Sequence, residues 1–364
     1  MSPKSIILTG MAPVSTLSGE DYFAFPLTAA QRARWPKGLT ARGDPRYNGA
    51  FRMNLEGAVD AELLQRSLRE IALRQESLRT TFQAAPVEGS VGVAAEGAGA
   101  KIRQVVFPVP DITVEVIDLR SFPEEDRAAM VDGMSTQEAQ QAFDLSQGSP
   151  IRIKLLRTGD RHSVLTLTVH QIVCDGWSIG VLMEELAAIY AAFARKQPSP
   201  LEPLSFQFGD FVAWQQEHLA TSEVQGQLAY WKQKLAGCPQ VQVTPDFARA
   251  TDLAQAGIVS ELLPRDLTDR LREVSQTQNI TFFVVTMAAC MALISRYTAE
   301  FDIALRTPLA GRTRVEFEPI IGQFVNQVAI RAKLTDDLTM AAARMAPTTP
   351  TRTTRSGSSA SRES

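Results

Sequence analysis

Residues 164–170 alternate, with Leu165, Leu167 and Val169 facing one way and Thr166, Thr168 and His170 the other. Just beyond, the apolar spacing changes. Ile179, Leu182, Met183, Leu186, Ile189, Tyr190 and Phe193 recur at the period of a helix. A period-2 strand feeding a long amphipathic helix excludes an all-α or all-β chain. The strand needs a sheet, and the helix needs that sheet to cover its stripe.

The rest of the chain repeats the mixture without an internal repeat. Thr28 predicts an N-cap for a short helix over 28–35, and Asp60 one for a helix carrying Leu64, Leu68 and Ile71. Alternation predicts strands over 50–57, 101–106, 112–117, 151–156, 259–263, 302–306 and 325–332. Helices are predicted over 124–142, 208–219, a stretch ending near 235, and 267–278. A further helix over 282–297, capped by Thr281, is apolar enough to be buried on most sides. Residues 84–100, rich in Ala and Gly, read as a surface loop. Pro198, Pro200 and Pro203 mark a boundary between halves. The expected division is a flexible leader over 1–21, a first lobe over 22–195, a linker over 196–205, a partial second lobe over 206–345 and a disordered tail over 346–364. The tail is expected to be disordered because it has no large apolar residue to bury.

Composition excludes several classes. With 37 Lys+Arg against 40 Asp+Glu there is no basic excess, so nucleic acid is not an expected partner. The apolar run over 282–294 is too short to span a bilayer, and the first residues are too weakly patterned for a signal peptide, so no membrane partner is expected. The three cysteines, Cys174, Cys238 and Cys290, are far apart and read as free thiols of a cytoplasmic protein. With only three histidines and no ligand spacing, no metal site is expected.

Five stretches carry a resemblance. His170-Gln171-Ile172-Val173-Cys174-Asp175-Gly176 resembles the His-His-x-x-x-Asp-Gly signature of condensation domains from nonribosomal peptide synthetases. Leu27-Thr28-Ala29-Ala30-Gln31, Arg74-Gln75-Glu76-Ser77-Leu78-Arg79-Thr80, Phe208-Gly209-Asp210-Phe211-Val212-Ala213-Trp214 and Ile321-Gly322-Gln323-Phe324-Val325-Asn326 are similar to other family motifs in the family's order. Pro308-Leu309-Ala310-Gly311-Arg312 is a lesser echo. The resemblance implies an α/β (α+β) two-layer sandwich of two chloramphenicol-acetyltransferase-like lobes in a V, the second incomplete here. It also implies an active site between the lobes. Carrier proteins and neighbouring synthetase modules would be the partners. No cofactor would be bound, because the substrates ride as thioesters on the carriers' phosphopantetheine. The reaction implied is attack of an aminoacyl amine on an acyl thioester to give an amide.

The candidate catalytic positions are His170, Gln171, Asp175 and Gly176, with Arg79, Trp177, Arg312 and Asn326 as structural or cleft residues. In the family the second histidine stands beside the amine and the aspartate pairs with an arginine. Here Gln171 replaces that histidine. An amide oxygen can accept a hydrogen bond from an amine but takes up no proton near neutral pH. His170, one residue earlier on the strand, points to the opposite face and reads as a structural residue. Asp175 or Ser178 can cap the following helix, and Gly176 supplies a small residue where the chain turns. Gln75 replaces a second family histidine. Arg306 stands where the resemblance implies glycine, and there it would either narrow the cleft or supply a new partner for Asp175. Trp177 and Trp214 read as packing anchors, Arg79 as an ion-pair residue, and Cys174 as no nucleophile, since no base accompanies it. The loss of pattern after Met345 reads as a frameshift or as a remnant with a natural tail. The rivals to the leading reading are a non-catalytic docking or recruitment module of the same fold, and a related acyltransferase or epimerization domain.

Overall fold

The computed structural model describes residues 23–35, 43–85, 101–246 and 259–334. The expected leader, most of the Ala/Gly loop and the expected tail lie outside them. In chain order the elements are β1 (Phe23–Pro26), α1 (Ala29–Arg32), β2 (Asn48–Glu56), α2 (Ala61–Arg74), β3 (Thr80–Ala85), β4 (Lys101–Val106), β5 (Val114–Asp118), α3 (Glu124–Gln140), β6 (Ile151–Arg157) and β7 (His162–His170). Then follow α4 (Gly176–Ala194), α5 (Phe208–Leu219), α6 (Ser222–Leu235), α7 (Arg265–Thr277), α8 (Phe282–Thr298), β8 (Asp302–Leu309) and β9 (Asn326–Lys333).

The chain divides into two compact units, one of Met1–Val224 with Leu309–Asn326, the other of Gln225–Pro308 with Gln327–Ser364. The first unit is built on a four-stranded sheet in the order β2-β7-β6-β5. β7 runs antiparallel to β2 and β6, pairing Leu167 with Phe51 and with Ile153, while β5 lies parallel to β6. Leu64, Leu68 and Ile71 of α2 and Leu182, Leu186 and Ile189 of α4 cover one face, packing with Leu165, Leu167 and Val169. This is the stripe-on-sheet arrangement that the two periods require. Thr166, Thr168 and His170, on the other face, are also buried. α3 lies against β2 and β7, and its buried Glu138 takes the Arg152 and Lys154 side chains of β6. This face is therefore a second buried layer, in which Glu138 is paired with Arg152 and Lys154 while Thr166 Oγ1 and His170 Nε2 have no hydrogen-bond partner among the described residues. A three-stranded sheet, β1-β4-β3, completes the unit.

Capping follows the sequence closely. Thr28 and Gln31 form a reciprocal capping box, Asp60 accepts from Glu62 and Leu63 N–H, and Thr281 accepts from Val284 N–H. α4 is long and apolar enough by composition to cross a bilayer, a property the sequence pattern assigned to no segment. Its Leu182, Leu186 and Ile189 belong to the core of this unit, as in a core helix.

In the second unit Met291 of α8 packs with Ile303 of β8 and Ile330 of β9. Two expectations are corrected here. Residues 259–263 form no strand: Val259 and Leu262 are 98% and 94% exposed and have no ladder partner among the described residues. An apolar run without a neighbouring edge does not become a strand. α8 buries one face only, through Val285, Ala288, Met291 and Ser295, and leaves Phe283, Leu293 and Tyr297 exposed. A two-stranded sheet is too narrow to cover more of it.

Candidate functional site

The site grows from the end of β7. His170 is wholly buried, edge-on to the rings of Tyr47 and Phe143 at centroid distances of 6.2 and 6.1 Å. Burial lowers its pKa to about 4, against an opposing pull from Asp44. The ring is therefore neutral at pH 7. Its Nδ1 accepts the Ile172 N–H at 3.2 Å, which leaves the proton on Nε2, and Nε2 has no hydrogen-bond partner among the described residues. His170 is wholly buried, and its Nδ1 shapes the loop through the Ile172 N–H.

The loop backbone is tied at Gln171, Ile172 and Val173. Gln171 N–H donates to Tyr47 O at 2.8 Å, and Val173 N–H to His170 O at 3.1 Å. Ile172 O accepts from Gln31 Nε2 at 2.9 Å, and Gln31 is itself paired with Gln104. The Gln171 side chain is half-buried and makes no hydrogen bond among the described residues, so its amide is free to meet a ligand. Cys174 is buried and its thiol is pushed far up, chiefly by burial, which makes it inert.

Asp175 is the hub. It is the N-cap of α4, and its Oδ1 accepts Ser178 N–H at 2.9 Å, Ser178 Oγ at 2.7 Å and Arg312 Nη2 at 3.2 Å. Its Oδ2 accepts the N–H groups of Phe324 and Val325 at 3.1 and 3.2 Å. Arg312 Nη1 donates to Phe317 O and Ile320 O, and its guanidinium lies 3.9 Å from the Phe324 ring centroid. Asp175 therefore caps a helix and forms an ion pair at once. Arg306 is exposed, and the expectation that it pairs with Asp175 is corrected in favour of Arg312. Phe208, Phe211, Phe317 and Phe324 form an aromatic cluster behind this segment.

The remaining predicted residues are more scattered. Arg79 holds carbonyls of Ala72 and Phe107 and lies 3.8 Å from Glu76, a local tie outside the hub. Trp177 is 48% exposed and donates from Nε1 to Glu318 O at 3.0 Å, so it is no core anchor. Trp214 packs on Phe211 and Phe317 and stacks on His218. Asn326 is exposed at the start of β9. Gly176 is an ordinary first helical residue. A Cβ there would meet nothing within 4 Å, so the turn itself does not demand glycine. Sequence reasoning missed Gln31, Ser178 as a junction and Gln75 as a contact residue. Gln31 and Gln75 lie inside matched motifs, which was the signal available.

A family model for the condensation domain matches residues 24–348. The chain is 38% identical over 315 residues to chondramide synthase of Chondromyces crocatus, covering 86% of this chain and 8% of that protein. It is 32% identical over 311 residues to malpinin synthetase of Mortierella alpina, covering 85% of this chain and 4% of that protein. The chain thus spans a small part of the curated relatives it matches. Among solved structures, the X-domain from teicoplanin biosynthesis superposes with a TM-score of 0.72 at 29% identity, over 87% of this chain and 67% of that one. The first condensation domain of the calcium-dependent antibiotic synthetase gives 0.72 at 21% identity, over 88% and 73%, a likeness of fold. With the motif loop, its ion pair and the mixed α/β fold in agreement, the chain belongs to the condensation-domain family of nonribosomal peptide synthetases.

Proposed function

We propose that this domain joins a carrier-bound acyl or peptidyl thioester to a carrier-bound aminoacyl amine, with both substrates on phosphopantetheine arms of partner carrier proteins in the cytoplasm. The reading includes Asn326 and Trp177 as residues that meet the substrates. The observation that carries it is the contrast at the motif. The loop is tied through Gln171 N–H to Tyr47 O, Ile172 O to Gln31 and Asp175 to Arg312, while the Gln171 side-chain amide makes no hydrogen bond among the described residues.

Gln171 would accept a hydrogen bond from the attacking amine through its side-chain oxygen and hold the lone pair toward the thioester carbon. Attack forms the C–N bond, collapse expels the thiolate, and the ammonium proton passes to solvent or to the departing sulfur. Gln171 takes no proton. Holding the reactants together is the principal contribution left to such a site. The test is amide formation from separately loaded holo carrier proteins, followed by mass spectrometry. Product above the rate of free thioester aminolysis supports the reading, and its loss in Gln171→Ala assigns the role.

A second reading is favoured by a specific observation. The residue at 171 is not a base, and the chain is 29% identical to a structure described as a complex of the X-domain and OxyB from teicoplanin biosynthesis. A recruitment module of the same fold would bind a loaded carrier or a tailoring enzyme without making product. Carrier binding with no amide above background selects it.

A further inference from the structure

Gln75 sits where the family motif has histidine, far from the signature loop in sequence, and it is wholly buried. Its side chain does something specific. Nε2 donates to Pro319 O at 2.9 Å and to Glu185 Oε1 at 3.0 Å, while Oε1 accepts the Ile321 N–H at 2.9 Å. One amide thus takes the carbonyl before residue 320 and the N–H after it, the same pair of groups that a neighbouring strand would take. Glu185, held by Arg74 at 2.8 Å, fixes which end of the amide is nitrogen.

The arrangement recurs one step back. Gln207 Nε2 donates to Arg74 O at 2.8 Å and its Oε1 accepts the Glu76 N–H at 3.3 Å, flanking residue 75 as Gln75 flanks residue 320. Gln65 does likewise around residue 113, with Ile112 O and Val114 N–H each at 2.7 Å. Two clamps in series therefore run from the start of α5 through residue 75 to the segment Leu309–Asn326. That segment delivers the Phe324 and Val325 N–H groups to Asp175.

We infer that Gln75 is a positioning residue. Seated by Gln207, it sets the register of residues 319–325 and thereby the donors that fix Asp175 and the signature loop. Ser178 holds Gly322 from the other side, and Arg312 holds Phe317 and Ile320. Gln75 is the one of these with no hydrogen bond to the signature loop among the described residues. A histidine offers one donor and one acceptor when neutral. It would serve Glu185 and the Ile321 N–H and leave Pro319 O unmet, so glutamine is the better clamp for this chain.

The effect on amide formation rests on the function proposed above, whereas the positioning itself does not. The test is amide hydrogen exchange by mass spectrometry on the free full-length protein, with no carrier present, comparing wild type with Gln75→Met. The volume is kept and the three hydrogen bonds are lost. Peptides over 319–325 should exchange roughly tenfold faster or more, while peptides over β6 and β7 keep wild-type rates. If wild type makes amide, kcat should fall with KM for the loaded carrier unchanged. A folded Gln75→Met protein with wild-type exchange over 319–325 overturns the inference. If that variant fails to fold, Gln207→Met is read in its place. Faster exchange over both 74–76 and 319–325 supports the series of clamps, and a rise at 74–76 alone overturns it.

Discussion

Arg312 Nη2 lies 3.2 Å from Asp175 Oδ1, and the two side chains are 1% and 2% exposed. The carboxylate collects five donors: two side-chain groups, and backbone N–H groups from Ser178, Phe324 and Val325. Removing either charge leaves the other buried alone. Arg312→Ala and Asp175→Ala should each lower stability by about 3–5 kcal/mol. Asp175→Asn should cost nearly as much, because both oxygens face donors and an amide nitrogen would confront N–H groups on either side. Urea unfolding midpoints test this. A near-neutral Asp175→Asn would mean the ion pair is not what holds the segment.

The Gln171 side chain lacks a titrating group, so the rate of amide formation should show no inflection from this residue between pH 6 and 8. Gln171→His should raise the rate, by at most about 10²–10⁴ if the imidazole acts as a base. It should also introduce a loss of rate below about pH 6.5 as the ring protonates. Single-turnover rates across pH separate the cases. An unchanged rate in Gln171→His would show that residue 171 does not limit the reaction.

His170 links stability to pH. Its folded pKa, about 4, is below the ordinary 6.5. Between these values the unfolded chain binds more protons than the folded one, so stability is full above pH 6.5 and falls as pH drops toward 4. The whole displacement, from 6.5 to about 4, corresponds to roughly 3 kcal/mol. Glu76 and Glu185, whose pKa values are raised chiefly by burial, work in the opposite direction over their own range. The difference between wild type and His170→Leu isolates the histidine. Denaturation midpoints at pH 4.5 and 7.5 should differ less in the variant than in wild type.

Three glycines of the matched motifs should behave differently. Gly311 has φ +71°, and a Cβ there would lie 2.1 Å from Phe324 O, a backbone atom that cannot swing aside. At Gly322 a Cβ would meet the Phe208 ring at 2.2 Å. Gly311→Ala should cost at least about 2–3 kcal/mol, from left-handed strain plus the clash. Gly322→Ala should also destabilise. Gly176→Ala, facing open space, should change stability by no more than about 1 kcal/mol and in the favourable direction. Melting temperatures of the three variants decide it.

The sequence carried the architecture where local rules and burial agree. β7 and α4 were legible because the change from period 2 to period 3.6 survives in one short stretch, and α5 was bounded correctly by its pattern. Asp175 and Arg312 were legible through family motifs. What was hidden depends on partners distant in sequence. Gln75 and Gln31 look like ordinary polar residues, since an amide clamp on a backbone leaves no periodic trace. Val259 shows the converse, a strand-like run with no edge to join.

The segment Leu309–Asn326 interrupts the second unit yet belongs to the first. The signature loop is thus written in one place and electrically closed in another. A fragment ending anywhere between residues 177 and 311 would keep all of His170 to Gly176 and lose the counter-charge of Asp175. The smallest piece of this chain able to fold around its motif is set by where that circuit closes, well over a hundred residues beyond the motif's last letter.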